Sequence, residues 1–269
     1  MKSYGANNKT GILSKVDSHL EEFRILGYTI IEGVLTNDEI KELKEELDRV
    51  YLIQELEIGK ELLKDINEVY LARALAAYSD KFAELACKAS MMSYVKRILG
   101  DYFILHLQNG IINMPIEEHH QSSWHRDLPY QNWVSSEPLG CNIFYCLDDF
   151  TETNGGTILL PFSHKVPYLP SEAYIEKHDV QVIAPAGSVV LFDSMLFHKA
   201  GYNKSGTIRR GVNSLYGKAI LRQQINLPAM MKDPGESNPF NRMLFGFDNR
   251  SPDSVVSFRE NRMKKKNHQ

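Results

Sequence analysis

Cysteine is scarce in this chain of 269 residues: Cys87, Cys141 and Cys146 make an odd count with no repeated spacing. That argues against a disulfide framework and fits a reducing compartment, with Cys141 and Cys146 reading as buried free thiols on an apolar run. Long apolar runs are missing as well. No stretch approaches the roughly 18 apolar residues of a membrane span, and the opening "MKSYGANNKTG" lacks the apolar core of a signal peptide. The expectation is a cytoplasmic protein with no membrane partner. Nor is there an excess of charge of one sign: 31 Lys and Arg against 34 Asp and Glu leave a net charge of -3, which gives no nucleic-acid surface. The basic run Lys264 to Lys266 reads as a solvated end. Repeats and low-complexity tracts are absent.

What is present is an ordinary globular composition, 43% hydrophobic, 24% charged and 10% aromatic, able to bury a substantial core. The first ~100 residues read as helical. "LTNDEIKELKEELDRVY" opens on Thr36 with Glu39 three places later, a capping box, and sets Ile40, Leu43, Leu47 and Tyr51 along one face. "GYTIIEGVL" before it reads as a short strand, and "YLARALAAYSDKFAELACKASMMSYVKRILG" as a second helical region stopping at Gly100. From about residue 101 short β-branched and aromatic runs alternate with turn residues, as in "YFILHLQNGIINM", "GCNIFYCLDDF", "GGTILLPFSH", "QVIAPAGSVVLFD" and "RRGVNSLYGKAI". This texture predicts a sandwich, barrel or jelly roll. The expected organisation is one domain over 1–269: a largely helical flank to about 100, a β core over 101–225, and a covering loop and tail over 226–269.

The chemistry concentrates in "SSWHRDLPY". Residues two apart on a strand share a face, so His125 and Asp127 converge while Arg126 points away. Two ligands leave a metal under-coordinated, and the best third candidate is His198, 71 residues after Asp127 at the end of an apolar β run. Two imidazoles and one carboxylate form the facial triad that suits non-haem Fe(II), with the opposite face open. Arg209 follows His198 by 11 residues, and only one of the adjacent Arg209 and Arg210 can face the interior. A guanidinium there can hold a dicarboxylate's far end bidentately. H-x-D alone is a weak pattern; the ordered set is much stronger.

The segments "WHRD", "LDDFTETNGGTILLPFSHK" and "GSVVLFDSMLFHKAGYNKSGTIRRGVNSLY", with "EFRILGYTIIEGVLTNDEIKELKEEL" ahead of them, resemble the phytanoyl-CoA dioxygenase-like family of Fe(II)/2-oxoglutarate oxygenases. The resemblance spans about residues 20–225. It implies a mainly β double-stranded β-helix, a cupin-like jelly roll, with N-terminal helices packed outside. It also implies His125, Asp127 and His198 as catalytic iron ligands, with Arg209 against the distal carboxylate of 2-oxoglutarate. The implied activity is a dioxygenase consuming O2 and 2-oxoglutarate, hydroxylating a small molecule and releasing succinate and CO2. Asp127 speaks for hydroxylation rather than halogenation, which needs a small residue there. Two departures stand out: Pro161-Phe162-Ser163-His164 where the family commonly has Pro-Gly-Ser-His, and Gly187-Ser188 where many members have Gly-Asp.

Other polar residues have plainer readings. His119 and His120 read as a solvated loop pair, and His164 as structural. Gln108 and Asn113 differ by an odd number and cannot share a strand face; Asn113 is favoured as the co-substrate contact. Trp124, Tyr130 and Gln131 flank the metal motif and are the candidate substrate residues. The rival readings are a zinc hydrolase or lyase on the same ligands, and a non-catalytic jelly-roll binding protein. Substrate identity and oligomeric state stay open.

Overall fold

A computed structural model describes residues 11, 14–116, 120–128 and 132–267, with only the backbone course given for His120 and 264–267. In chain order the elements are α1 (Lys15–Leu26), β1 (Tyr28–Ile31), α2 (Asn37–Ile58), α3 (Lys60–Asp65), β2 (Leu71–Ala72), α4 (Leu75–Tyr78), α5 (Asp80–Ala86) and α6 (Ala89–Leu99). They continue with β3 (Phe103–Asn113), β4 (Gly140–Cys146), β5 (Ile158–Leu159), α7 (Glu172–His178), β6 (Val180–Gln181), β7 (Val189–Asp193), β8 (His198–Lys199) and β9 (Arg209–Lys218), and end with α8 (Leu227–Met230), α9 (Pro239–Leu244) and α10 (Val255–Asn267).

The strands form two antiparallel sheets, one ordered β1-β7-β4-β9-β3-β2 and one ordered β6-β5-β8. Their facing sides bury a shared cluster that includes Ile111, Phe144, Phe192, Phe150, Leu159 and Leu196. The outer face of the large sheet carries the helices. Helix α2 starts on the expected Thr36–Glu39 capping box and buries Ile40, Leu43, Leu47 and Tyr51. At Gly110 of β3 an added Cβ would lie 2.1 Å from Leu47 Cδ1, so this glycine lets α2 seat directly on the strand.

Three boundaries differ from the sequence expectation. The N-terminal flank supplies the expected short strand β1 to one edge of the large sheet and, within the region expected as helical, the unexpected β2 to the other. The second helical region divides into α4, α5 and α6: left-handed Ala74 sets α4 off from β2, extended Ser79 parts α4 from α5, and Lys88, at ψ 111°, parts α5 from α6. The tail, expected as a covering loop, contains α8, α9 and α10, and its Leu227, Leu244 and Phe245 are buried in the main core cluster. Finally, Phe162, at the position where the resemblance predicts glycine, adopts φ 65°, a left-handed conformation that glycine takes at no cost.

Candidate metal centre and co-substrate site

Residues His125 and His198 form an isolated antiparallel bridge, each backbone N–H donating 3.0 Å to the other's carbonyl. The bridge brings their rings to 4.3 Å between centroids. Asp127, two residues on, donates its N–H to Ser194 O at 3.2 Å and so stays beside β8. The three side chains each offer one ligand atom, and these atoms lie within 4.8 Å of one another. Asp127 Oδ1 is 3.6 Å from His198 Nε2 and 3.9 Å from His125 Nε2.

The outer hydrogen bonds fix which atoms face inward. His125 Nδ1 lies 2.9 Å from Ser123 O and His198 Nδ1 3.0 Å from Leu196 O. A carbonyl accepts only from N–H, so each ring holds its proton on Nδ1 and turns the Nε2 lone pair to the centre. His125 Nε2 is buried and has no hydrogen-bond partner among the described residues. Burial, reinforced by His125, pushes His198 down to about 4, which leaves it neutral and able to ligate at neutral pH. Asp127 Oδ2 accepts from Asn142 Nδ2 and, at 2.9 Å, from Asn213 Nδ2, which frees Oδ1 for the centre. Burial by itself would raise this carboxyl; the two imidazoles and the two amides outweigh it, and the group lies below the ordinary carboxylate range.

Strand β9 carries the second half of the site. Alternation puts Arg209, Gly211 and Asn213 on the interior face. Arg209 is only 1% exposed, its Nη2 donates 2.8 Å to Gly155 O, and its guanidinium carbon sits 4.7 Å from the Phe150 ring centroid. Its Nε and Nη1 are buried and have no hydrogen-bond partner among the described residues. Burial pulls its pKa down to about 10, so it remains charged. Arg210 points the other way and pairs through Nε and Nη2 with Asp48 on α2, both at 2.9 Å. The buried space between triad and Arg209 is walled by Ile111, Phe144 and Phe192. Gly211 admits that wall: a Cβ there would lie 2.3 Å from the Phe144 ring.

The remaining expected residues divide. Asn113 stands opposite Arg209 on β3, on the interior face, while Gln108 turns to the helices and donates to Phe82 O and Ser214 Oγ. The Asn113 amide nitrogen is committed to Gly201 O at 2.9 Å and Gly155 O at 3.4 Å, and only its Oδ1 is left unpartnered. Trp124 alternates to the face away from the triad, where Lys199 Nζ lies 5.0 Å from its ring. Tyr130, Gln131 and His119 lie outside the described residues. Arg126 points away from the triad, as expected, and is buried with Nε donating to Met195 O. Asn142 and Asn213 were not anticipated. The signal was available in "GCNIFYC" and "GVNSLYG": an amide in the middle of a buried strand needs a partner.

The family profile described as phytanoyl-CoA dioxygenase matches residues 23–211. The chain belongs to this family of Fe(II)- and 2-oxoglutarate-dependent oxygenases. An uncharacterized protein of Mycobacterium tuberculosis is 32% identical over 228 residues, 82% of each chain. The ectoine dioxygenase of Nocardia farcinica is 24% identical over 209 residues, 66% of this chain and 69% of the relative. Among solved structures, EctD from S. alaskensis with 2-oxoglutarate and 5-hydroxyectoine shares the fold at TM-score 0.63 and 20% identity, covering 82% of this chain and 81% of its own. The epimerase SnoN, with Fe3+, α-ketoglutarate and nogalamycin RO, aligns at TM-score 0.60 and 18% identity over 82% and 91%. The ligand set and the orphaned guanidinium fit what the family needs: three inward lone-pair donors for a metal, and two unmatched N–H groups for a carboxylate. Among the described residues no helix is long and apolar enough to cross a membrane.

Proposed function

We propose that the chain is a hydroxylase of a small-molecule substrate, built on a double-stranded β-helix core within one domain over 1–269. In this reading His125 Nε2, Asp127 Oδ1 and His198 Nε2 hold Fe(II), and the Arg209 guanidinium holds the distal carboxylate of 2-oxoglutarate. The observation that carries it is Arg209: a buried, charged guanidinium with two N–H groups lacking acceptors, on the same interior face as the triad. Leaving such groups unmatched costs about 1–3 kcal/mol or more, which a bound carboxylate removes. A zinc hydrolase or lyase gives those N–H groups no task.

When bound, iron and 2-oxoglutarate would supply the activation of O2, one oxygen atom ending in succinate as CO2 is lost and the other in the substrate's former C–H bond. Everything else falls to the protein. Ser123 O and Leu196 O orient the two imidazoles, Asn142 and Asn213 hold Asp127 to one ligating oxygen, and Gly155 O steers Arg209. Phe144, Phe192 and Ile111 keep water from the chamber. Asn113, which shares Gly155 O with Arg209 and also donates to Gly201 O, steers the loop that presents Gly155 O and has no N–H left for the co-substrate.

Hydroxylation is favoured over epimerisation by relatives that carry the name dioxygenase. The experiment that tests this turns on the product of a substrate found by screening for enhanced succinate release. Under 18O2 the product should gain one labelled oxygen; a product of unchanged mass and inverted configuration would make the enzyme an epimerase.

A further inference from the structure

The interior of the large sheet has an order along β9 that the iron site does not use up. Arg209 begins the strand, Asn213 touches Asp127 four residues on, and Leu215 follows on the same face. At ~3.3 Å per residue the strand then runs roughly 10 Å beyond Leu215 to its end at Lys218. Leu215 packs with Leu107, Leu128 and Met195 into a small apolar cluster of its own, bordered by Leu139 and Leu221. Leu128 adjoins Asp127, and Met195 precedes His198 by three residues, so the cluster abuts the triad on the side away from Arg209.

Leu221 also lines a cleft of about 700 Å³. That falls within the roughly 300–1,000 Å³ of small-molecule sites. The cleft lies at the β9 C-terminal end, between the loop that follows the strand and the tail. Its walls are tied together: Asn249 Nδ2 donates 2.7 Å to Ala219 O, and Gln223 Nε2 donates to Leu105 O and Phe245 O. Arg222 and Arg250 line it, and neither has an ion-pair partner among the described residues; Asp253 is the one acidic group on the lining.

We propose that this cleft is the outer part of the substrate site. The substrate has an apolar body that parts Leu221, Leu139 and Met195 to reach the triad, and an anionic end, carboxylate or phosphate, held by Arg222 and Arg250. The inference rests on the iron and 2-oxoglutarate reading for its catalytic meaning, but the cleft's ligand preference stands apart from it.

Calorimetric titration of the metal-free chain with octanoate, octyl phosphate, octanol and inorganic phosphate tests the cleft directly. One anionic amphiphile should bind at one per chain, at least tenfold tighter than octanol and inorganic phosphate, and the stronger of octanoate and octyl phosphate identifies the anion. Arg222→Ala with Arg250→Ala should weaken it at least tenfold, as should Leu221→Trp, while the absorption band of the Fe(II) and 2-oxoglutarate complex stays unchanged. Octanol binding as tightly as the anions, binding unaltered in the double variant, or several molecules per chain would each overturn the proposal. Failure of the absorption band with cleft binding intact would instead remove the iron reading and leave the cleft.

Discussion

Arg209 and Arg210 are adjacent, equally basic, and placed in opposite environments by the alternation of β9. Arg209 is buried with unmatched N–H groups, whereas Arg210 spends its guanidinium on Asp48, whose side chain is 43% exposed. Removing Arg209 forfeits charge-assisted hydrogen bonds of about 1.5–3 kcal/mol, which is roughly 10- to 100-fold in affinity. Arg209→Ala should therefore raise the 2-oxoglutarate concentration for half-maximal succinate release by that factor. Arg210→Ala should leave it unchanged and cost about 1–3 kcal/mol of stability in urea unfolding, because Arg210 also pairs with Asp148 at 3.5 Å and its side chain is only 18% exposed.

Two buried titratable groups behind the site, His164 and Asp193, give a second prediction at this scale. Burial, helped by Lys165, pushes His164 down to about 4, and burial pushes Asp193 up to about 6. The unfolded chain then binds the His164 proton more readily, so that contribution to stability is present above about pH 6.5 and is lost as pH falls toward 4. The folded chain binds the Asp193 proton more readily, so its contribution is present below about pH 4 and is lost as pH rises through 6. The two oppose each other. Melting temperatures of the metal-free protein between pH 4 and 6.5 should fall on acidification more steeply in Asp193→Asn than in the parent, and less steeply in His164→Gln.

At the scale of elements, the site depends on loops whose backbones touch. Gly155 has φ 77°, and a Cβ there would lie 2.5 Å from both Asn113 Nδ2 and Gly201 O; at Gly201 a Cβ would lie 2.5 Å from Gly156 O. These glycines let the segment before β5 pack against the segment after β8, and that packing presents Gly155 O to Arg209. Gly155→Ala adds a left-handed strain of about 1–2 kcal/mol to a backbone clash. It should raise the 2-oxoglutarate requirement while Fe(II) affinity, measured by titration without co-substrate, stays within about threefold.

Element types were legible where a local rule decided them. The capping box and apolar stripe of α2, the stop at Gly100 and the β runs from 103 onward all follow from periodicity and cap chemistry. The splitting of the Ala-rich region was not, because neither the left-handed Ala74 ahead of α4 nor the non-helical Lys88 between α5 and α6 carries a sequence mark. Nor was the turn at Phe162, where a residue 50% exposed occupies a glycine conformation held by its surroundings.

For the whole molecule, the site was legible as an ordered set of residues far apart in the chain, and its supports were not. The H-x-D spacing, the distal histidine and the arginine pair can be read one residue at a time. Asn142 and Asn213 acquire a role only once β4 and β9 lie side by side beneath Asp127, and Trp124 turns from the triad because the His125–His198 bridge fixes which face is inside. The two-sheet architecture brings the N-terminal edge strands, the central strands and the tail around one interior. A polar, ligand-ready half runs from Arg209 to Asp127, and an apolar half runs on to the cleft under the tail.

The central claim is that His125, Asp127 and His198 hold iron while Arg209 holds 2-oxoglutarate beside it. Anaerobic addition of Fe(II) and 2-oxoglutarate to the metal-free protein should produce a weak visible charge-transfer band, absent in Asp127→Ala, with succinate formed on admitting O2. No band and no succinate from the intact chain, or an undiminished band in Asp127→Ala, would contradict it.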